Sequence, residues 1–234
     1  MTRVLALDTA TQACTLALWG AGDVRARHEI QARAHNRHIL SMLHDVLEGR
    51  SLHDAVDVIA CGTGPGSFTG LRVAVSVAQG LAWAQDLPVH GFCSLTAQVH
   101  SAADSGMLPD DAAVLSTIDA QIDQLYGLWG RWRDGHFVPE GAPFACPPEQ
   151  VPQPGEIEQA IVLGSGGDYV TRFPDWLGGG ARVERDVTPN AGVMAGLYGS
   201  GQLPVEPVPA HRLSPQYVQT DIGWKKLSEQ GRRD

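Results

Sequence analysis

Residues 4–20 read VLALDTATQACTLALWG, and residues 113–130 read AVLSTIDAQIDQLYGLWG. Both stretches consist of an apolar run that ends in an aspartate (Asp8 or Asp119), a short turn, and a second apolar run that closes on Trp-Gly. Short apolar runs joined by a turn are typical of β-hairpins. The correspondence predicts a degenerate internal repeat, and hence two lobes built on one plan; two unrelated hairpins are the alternative.

The elements that follow the first hairpin extend it to an α/β lobe. The sequence predicts a strand over Val24–Ile30, a helix from its N-cap Asn36 to Gly49, a strand over Val56–Cys61, a helix from Ser67 to about Gln85, a strand over Val89–Cys93 and a helix over Ser94–Ala103. A three-stranded meander followed by alternating helices and strands predicts a mixed sheet with helices on its faces. This is the order of elements in ribonuclease-H-like domains.

The second half begins in the same way. Strands are predicted over Leu125–Trp129, His136–Val138, Ala160–Leu163 and Ala181–Arg185, a loop over Pro139–Gly155, a helix over Asn190–Tyr198 and a terminal helix over Ile222–Gln230. We therefore predict an N-terminal lobe over residues 1–105, a smaller C-terminal lobe over residues 106–211, and a C-terminal segment, residues 212–234, that packs back on the N-terminal lobe.

Composition narrows the class of protein. The chain has 234 residues, of which 43% are hydrophobic, and a formal net charge of −9. An acidic chain is a poor unaided ligand for nucleic acid or for an anionic membrane. No run is apolar and long enough to span a bilayer, and the four cysteines form no CxxC pair. We expect a reduced, cytoplasmic protein with no membrane contact.

The paired aspartates suggest a nucleotide site. In actin-like ATPases two such hairpins face the phosphates and the metal, and a late glycine-rich turn faces the adenosine. The corresponding candidates here are Asp8, Thr9, Thr11, Asp119, Gly164 and Gly166. The turn after Asp8 has neither a glycine nor a lysine to approach phosphate closely. We therefore favour a vestigial site, in which the aspartates are hydrogen-bonded residues at strand ends that were inherited with the fold.

Other catalytic signatures are missing from the sequence. The nine histidines contain no pair four residues apart, so HExxH and HxxxH metal sites are excluded, and there is no Gly-x-Ser-x-Gly elbow. The glycine-rich stretch Gly62–Gly70 has no Gly-Lys-Ser/Thr, which favours a tight strand-to-helix corner over a phosphate loop. We predict no metal site.

The second predicted helix is apolar nearly all round. Small residues recur every four positions, at Gly70, Ala74, Ala78 and Ala82. A helix of this kind is normally buried on two sides, one of them against its own sheet. Together with the first helix it could form half of an intermolecular four-helix bundle, or each helix could cover only its own sheet. Composition leaves both interpretations open.

Three strings resemble the bacterial TsaB family, also called YeaZ: LALDTAT at residues 5–11, GPGSFTGLRV at residues 64–73 and WKKL at residues 224–227. The resemblance runs essentially end to end and is weakest over Pro139–Arg185. It implies two ribonuclease-H-like lobes of the actin-like ATPase type and a degenerate relative of TsaD. The implied function is that of a non-catalytic scaffold, required for threonylcarbamoylation of the adenosine 3′ of the anticodon in tRNAs reading codons that begin with A.

The resemblance also implies partners and an interface. The chain would bridge TsaD and the ATPase TsaE, form a homodimer when alone, and meet tRNA only indirectly through the complex. It would have no cofactor of its own, with ATP or ADP expected only in the complex. The family meets TsaD through its first two long helices, which implies an interface of His38, Ile39, Met42, Leu43, Val46, Leu71, Ala74, Val75, Ala78 and Ala82.

Three positions depart from the family pattern. Gln121 and Gln219 stand where arginine is frequent, and Ala74 where glycine is frequent; the two lost arginines weaken any carried-over anion or tRNA contact.

Two other functions are alternatives. The doubled aspartate hairpin suggests a stand-alone actin-like ATPase or a sugar-kinase-like enzyme. A glycoprotease, the older label of relatives, has neither metal ligands nor a nucleophile motif here, and we consider that label an error.

Overall fold

The computed structural model describes residues 2–30, 35–155, 157 and 159–218. The predicted helix over Ile222–Gln230 and the position Gln219 lie outside these residues. Within the described part of the chain, no helix is both long and apolar enough to cross a membrane.

Five of the strands in the described ranges form the first sheet. They are β1 (Val4–Asp8), β2 (Ala13–Gly20), β3 (Asp23–Ile30), β4 (Val58–Gly64) and β5 (Val89–Cys93), in the spatial order β3-β2-β1-β4-β5. The strands β1, β2 and β3 pair antiparallel, whereas β4 and β5 run parallel to β1. All residues of β1 and β4 are buried, as expected for strands covered on both faces.

The second sheet repeats this topology. Its strands are β6 (Ala112–Gln121), β7 (Gln124–Arg133), β8 (His136–Pro139), β9 (Phe144–Cys146), β10 (Ala160–Leu163) and β11 (Arg182–Glu184), with the order β11-β10-β6-β7-β8 and β9 paired to the edge of β7. Here too the first three strands are antiparallel and the last two are parallel to the first. The shared order and directions confirm the internal repeat.

Among the described residues, six α-helices accompany the strands. They are α1 (His35–Leu47), α2 (Leu52–Ala55), α3 (Phe68–Gln85), α4 (Ser94–Asp104), α5 (Asp175–Gly178) and α6 (Ala191–Ser200). The side chain of Ser67 caps α3, as predicted, by accepting a hydrogen bond from the Gly70 N–H. The helix α1 begins at His35, so Asn36 lies inside it and is not its N-cap. The short elements α2, α5 and β9 were not predicted, because three or four residues carry too little periodicity.

The helices form two layers on the first sheet. The helices α1 and α3 cover the face that carries Leu5, Leu7 and Leu16. The other face carries Val4, Ala6 and Trp19, and α6 packs there together with part of α4. The opposite side of α4 contributes Leu95, Val99 and Ala102 to the core of the second sheet. One helix is thus shared by the cores of both lobes.

The position of α6 corrects the predicted domain boundary. The sequence prediction placed residues 191–200 in the C-terminal lobe, but Ala191, Met194 and Tyr198 are buried against the first sheet. The chain stays with the first lobe afterwards, because Val208 bridges to Val89 and Leu213 enters the core beneath α3. Periodicity shows that a helix has an apolar face, but not which of two similar sheets that face covers.

A buried glutamine joins the lobes. The Gln98 carboxamide on α4 donates hydrogen bonds to the Ser116 hydroxyl at 3.0 Å, the Thr117 carbonyl at 3.1 Å and the Leu163 carbonyl at 3.2 Å. In return the Ser116 hydroxyl donates to the Leu95 carbonyl at 2.9 Å. Gln98 is 1% exposed, so water cannot replace these bonds. They fix α4 to β6 and β10.

We expect Gln98→Met to lower the free energy of unfolding by about 2–3 kcal/mol, because the near-isosteric thioether cannot donate the buried hydrogen bonds to the Ser116 hydroxyl and to the Thr117 and Leu163 carbonyls. Urea unfolding at neutral pH measures the change. The control is Gln202→Met, because Gln202 is exposed and bonds only to Ser200 nearby. Equal stabilities of the two variants would show that the Gln98 bonds do not hold the lobes together.

Candidate functional site

The first candidate group lies at the end of β1. Asp8 is 1% exposed, and its two carboxylate oxygens accept hydrogen bonds from the Ser94 hydroxyl at 2.7 Å and the Ala10 N–H at 2.7 Å. Burial raises the pKa of Asp8 to about 6, although both hydrogen bonds act to lower it. Gly62 lies so close that a Cβ there would meet Asp8 Oδ2 at 1.9 Å. The carboxylate is enclosed by its own chain.

The glycine-rich segment 62–70 closes over the turn that follows Asp8. The Ser67 N–H donates to the Ala10 carbonyl at 2.7 Å, and the Thr9 hydroxyl donates to the Gly70 carbonyl at 2.7 Å. A Cβ at Gly66 would meet the Ala10 carbonyl at 2.4 Å, and one at Gly70 would meet the Thr9 carbonyl at 1.9 Å. These glycines are therefore required for close packing against the turn, as predicted for a tight strand-to-helix corner.

Thr11 also bonds within the turn. Its hydroxyl accepts a hydrogen bond from the Ala13 N–H at 3.1 Å. The polar groups that could face a phosphate at this hairpin are thus engaged with the turn itself or with the start of α3.

The second candidate group lies at the equivalent hairpin of the second lobe. The Asp119 carboxylate accepts hydrogen bonds from the Gln121 N–H, the Gln121 carboxamide and the Tyr169 hydroxyl, at 2.9–3.0 Å. Gly164 and Gly166 are packed against the end of β6: Cβ atoms there would meet the Thr117 carbonyl at 2.2 Å and Thr117 Cβ at 2.6 Å. The structure thus brings the late glycine-rich turn to Asp119, but as a packed corner.

The same hairpin explains one departure from the family pattern. Gln121, where arginine is frequent, folds back on Asp119 and donates two of the three hydrogen bonds that its carboxylate accepts. Among the residues that the structure describes, no three His, Cys, Asp or Glu side chains converge as a metal site.

Nine of the ten predicted interface residues are core residues. Ile39, Met42, Leu43, Val46, Leu71, Ala74, Val75, Ala78 and Ala82 are each at most 8% exposed. Eight of the nine pack in the core between α1, α3 and the first sheet, and Leu71 lies against Gly64. The tenth, His38, is half-exposed beside Glu29. The nine buried side chains therefore face the chain's own core and not a partner, because the stripe that includes Ala74 and Ala78 faces the chain's own sheet; an interface role for His38 stays a prediction.

The opposite side of α3 is open. We define the outer face of α3 by seven of its exposed and half-buried residues, which share the side of the helix turned away from the sheet: Thr69, Arg72, Val73, Ser76, Gly80, Trp83 and Ala84. Trp83 is 78% exposed, and a Cβ at Gly80 would meet nothing within 4 Å. On the same side of the sheet, α1 exposes Leu40 at 57%. The sequence carried one signal for this surface, an isolated tryptophan outside every predicted core stripe.

The buried state of Asp8 predicts a pH dependence. The folded pKa of about 6 lies above the ordinary value of 3.8, so in that interval the unfolded chain is ionised while the folded chain keeps the proton. Raising the pH through this window therefore favours the unfolded state. The wild type should lose up to about 3 kcal/mol of unfolding free energy relative to Asp8→Asn between pH about 4 and about 6.

Urea unfolding across this pH range measures the difference. Asp23→Asn is the matched control, because Asp23 is exposed at the start of β3. A stability difference between wild type and Asp8→Asn that stays constant with pH would contradict the buried, proton-holding carboxyl.

Comparisons with known proteins agree with this geometry. The sequence profile of the family described as "TsaD: tRNA N6-adenosine threonylcarbamoyltransferase" matches residues 27–132. The chain is 32% identical to the tRNA threonylcarbamoyladenosine biosynthesis protein TsaB of Haemophilus influenzae, with 96% of each chain covered. It is 34% identical to TsaB of Escherichia coli, with 96% of this chain and 98% of that one covered.

A solved structure extends the agreement to the fold. YeaZ from Pseudomonas aeruginosa superposes with a TM-score of 0.83 at 33% identity, over 93% of this chain and all of that one. The two repeated mixed sheets with flanking helices are the two lobes of the actin-like, ribonuclease-H-like fold. On end-to-end sequence identity and on fold, this chain belongs to the TsaB family.

Proposed function

We propose that the chain is a non-catalytic scaffold subunit in the biosynthesis of threonylcarbamoyladenosine in tRNA, at the adenosine 3′ of the anticodon in tRNAs that read codons beginning with A. It acts in the cytoplasm and bridges TsaD and TsaE. Alone it forms a homodimer; ATP or ADP and tRNA are bound only within the complex. The names of the full-length relatives support the pathway.

The observation that carries this proposal is the outer face of α3. Its residues are mostly small or apolar, and Trp83 stands 78% exposed at one end. Gly80 within a helix costs about 1 kcal/mol relative to alanine, and no contact within the described chain requires it. A glycine at such a position permits the close approach of another backbone. A partner helix packed along α3 could approach closely at Gly80 and would cover Trp83.

The hydrogen bonding of the aspartates at the two hairpins supports the non-catalytic role. Asp8 is enclosed, and Asp119 accepts three hydrogen bonds from Gln121 and Tyr169. The Asp8 carboxylate could hold a metal–phosphate group only if the surrounding turns opened. The first turn could open only by separating Thr9 and Ala10 from the start of α3. The scaffold role requires no such rearrangement.

Leave-one-out reconstitution tests the function. We would mix tRNA, threonine, bicarbonate and ATP with the partner proteins of the same organism, with and without this chain, and quantify modified adenosine by mass spectrometry. We expect modification only when the chain is present, and none from the chain alone. Full modification without it would refute the proposal. Magnesium-dependent ATP hydrolysis by the lone chain that is lost in Asp8→Ala would favour the ATPase alternative.

The proposed interface is tested by Gly80→Trp. The added ring has open space in the lone chain but blocks close approach of a partner helix, so we expect the melting temperature to be kept and binding to the TsaD-family protein to fall by about 100-fold. Isothermal titration calorimetry measures the affinity.

Ser200→Trp is the matched control for this substitution. Ser200 is exposed at the end of α6, which packs on the other face of the first sheet. Equal affinities of the two variants would place the contact away from α3.

A further inference from the structure

We infer that Arg72 is a specificity residue of the outer face of α3, which selects a protein partner that presents a carboxylate and disfavours a second copy of this chain. The inference rests on the proposed interface and adds the chemistry of the partner. Arg72 is the single charged residue of α3, between Phe68 and Gln85.

The Arg72 side chain is held in place before any partner arrives. Its guanidinium carbon lies 3.7 Å from the centroid of the Phe68 ring, and its Nε donates a hydrogen bond to the Tyr217 hydroxyl at 3.1 Å. The Phe68 and Tyr217 rings themselves lie 5.5 Å apart. A fixed side chain loses little conformational entropy when it binds, which is the advantage of preorganisation.

The outer edge of the guanidinium is available for recognition. The hydrogen bond to Tyr217 uses Nε, and none of the described carboxylates forms an ion pair with Arg72. The rings of Phe68 and Tyr217 are 50% and 49% exposed. The terminal N–H groups form a planar fork whose best match is a bidentate carboxylate or phosphate.

Charge distribution decides between these two anions. Binding to a nucleic-acid backbone needs clustered cations, but the rest of α3 has none and the chain carries a net charge of −9. The other residues of the outer face are uncharged and mostly small or apolar, which suits a packed helix. The matching group is therefore an Asp or Glu side chain on a protein partner.

A second copy of this chain has no free carboxylate on the two helices. Within α1 and α3 the one acidic residue is Asp45, and it is engaged by Arg27 at 3.3 Å. Glu48, directly after α1, is paired with Arg25 at 3.2 Å, and Asp86, beyond the far end of α3, lies about 20 Å along the helix from Arg72. Self-association through the outer face would bury Arg72 without a counter-ion, and an unpaired buried charge is a common device against a wrong partner.

The test compares Arg72→Gln in two equilibria. We expect binding to the TsaD-family protein of the same organism, measured by calorimetry, to weaken about tenfold or more. The homodimer dissociation constant, measured by analytical ultracentrifugation, should stay unchanged or fall. The salt dependence of the heterocomplex should be smaller in the variant, because one ion pair is lost. Arg72→Lys should recover only part of the affinity, since it keeps the charge but not the fork.

Arg185→Gln is the matched control. It removes the same charge from an exposed arginine of the second lobe, where Asp168 is its partner, and should change neither equilibrium.

Three results would overturn the inference. A lower melting temperature of the lone Arg72→Gln chain with unchanged binding would make Arg72 a structural residue. Equal weakening of both equilibria would remove the selectivity. Weakening of the homodimer in Asp86→Asn as well as in Arg72→Gln would place the counter-ion in the second copy. If Gly80→Trp abolishes partner binding while Arg72→Gln does not affect it, the proposed interface stands and only the inference fails.

Discussion

The first hairpin and the start of α3 meet at distances that leave no room for side chains. Gly62, Gly66 and Gly70 each place a backbone against Asp8, Ala10 or Thr9, and any Cβ would come within 2.4 Å of one of them. This contact fixes the direction in which α3 leaves the sheet. It thereby decides which side of α3 enters the core with Leu5 and Leu7, and which side becomes the outer face.

The same contact accounts for the enclosure of Asp8, one of the residues of the predicted vestigial nucleotide site. An aspartate at the end of a strand usually remains near water, but here Ser94 and Ala10 replace the water and burial raises the pKa of Asp8 to about 6. The hydrogen bonds recover part of the free energy lost by enclosing a carboxyl group. Asp119 in the second lobe is satisfied by a different set of groups, so the two hairpins have diverged in chemistry while keeping their topology.

Local patterns were sufficient for most of the fold. The apolar runs, the aspartates at strand ends and the Ser67 cap predicted both hairpins and the start of α3, since each depends on residues close in sequence. The orientation of α3 could not be predicted, because its stripe with Ala74 and Ala78 and its stripe with Ser76 and Gly80 are both small and weakly polar. Contacts between residues distant in sequence, such as Gly70 with Thr9, determine which side of α3 faces the sheet. Arg72 lies in the family string at residues 64–73, but the contact with Tyr217, 145 residues away, could not be predicted from that string.

The return of α6 to the first sheet makes the second lobe an insertion within the first. Met194 and Tyr198 complete one face of the N-terminal core, and Leu213 completes the other. During synthesis the first sheet therefore cannot finish its hydrophobic core until the chain as far as Leu213 has left the ribosome. The second lobe has all its strands in one continuous stretch, from β6 to β11, and can close earlier. The lobe that is translated first is thus the last to be complete, and its unfinished apolar surface is what a chaperone would meet on the nascent chain.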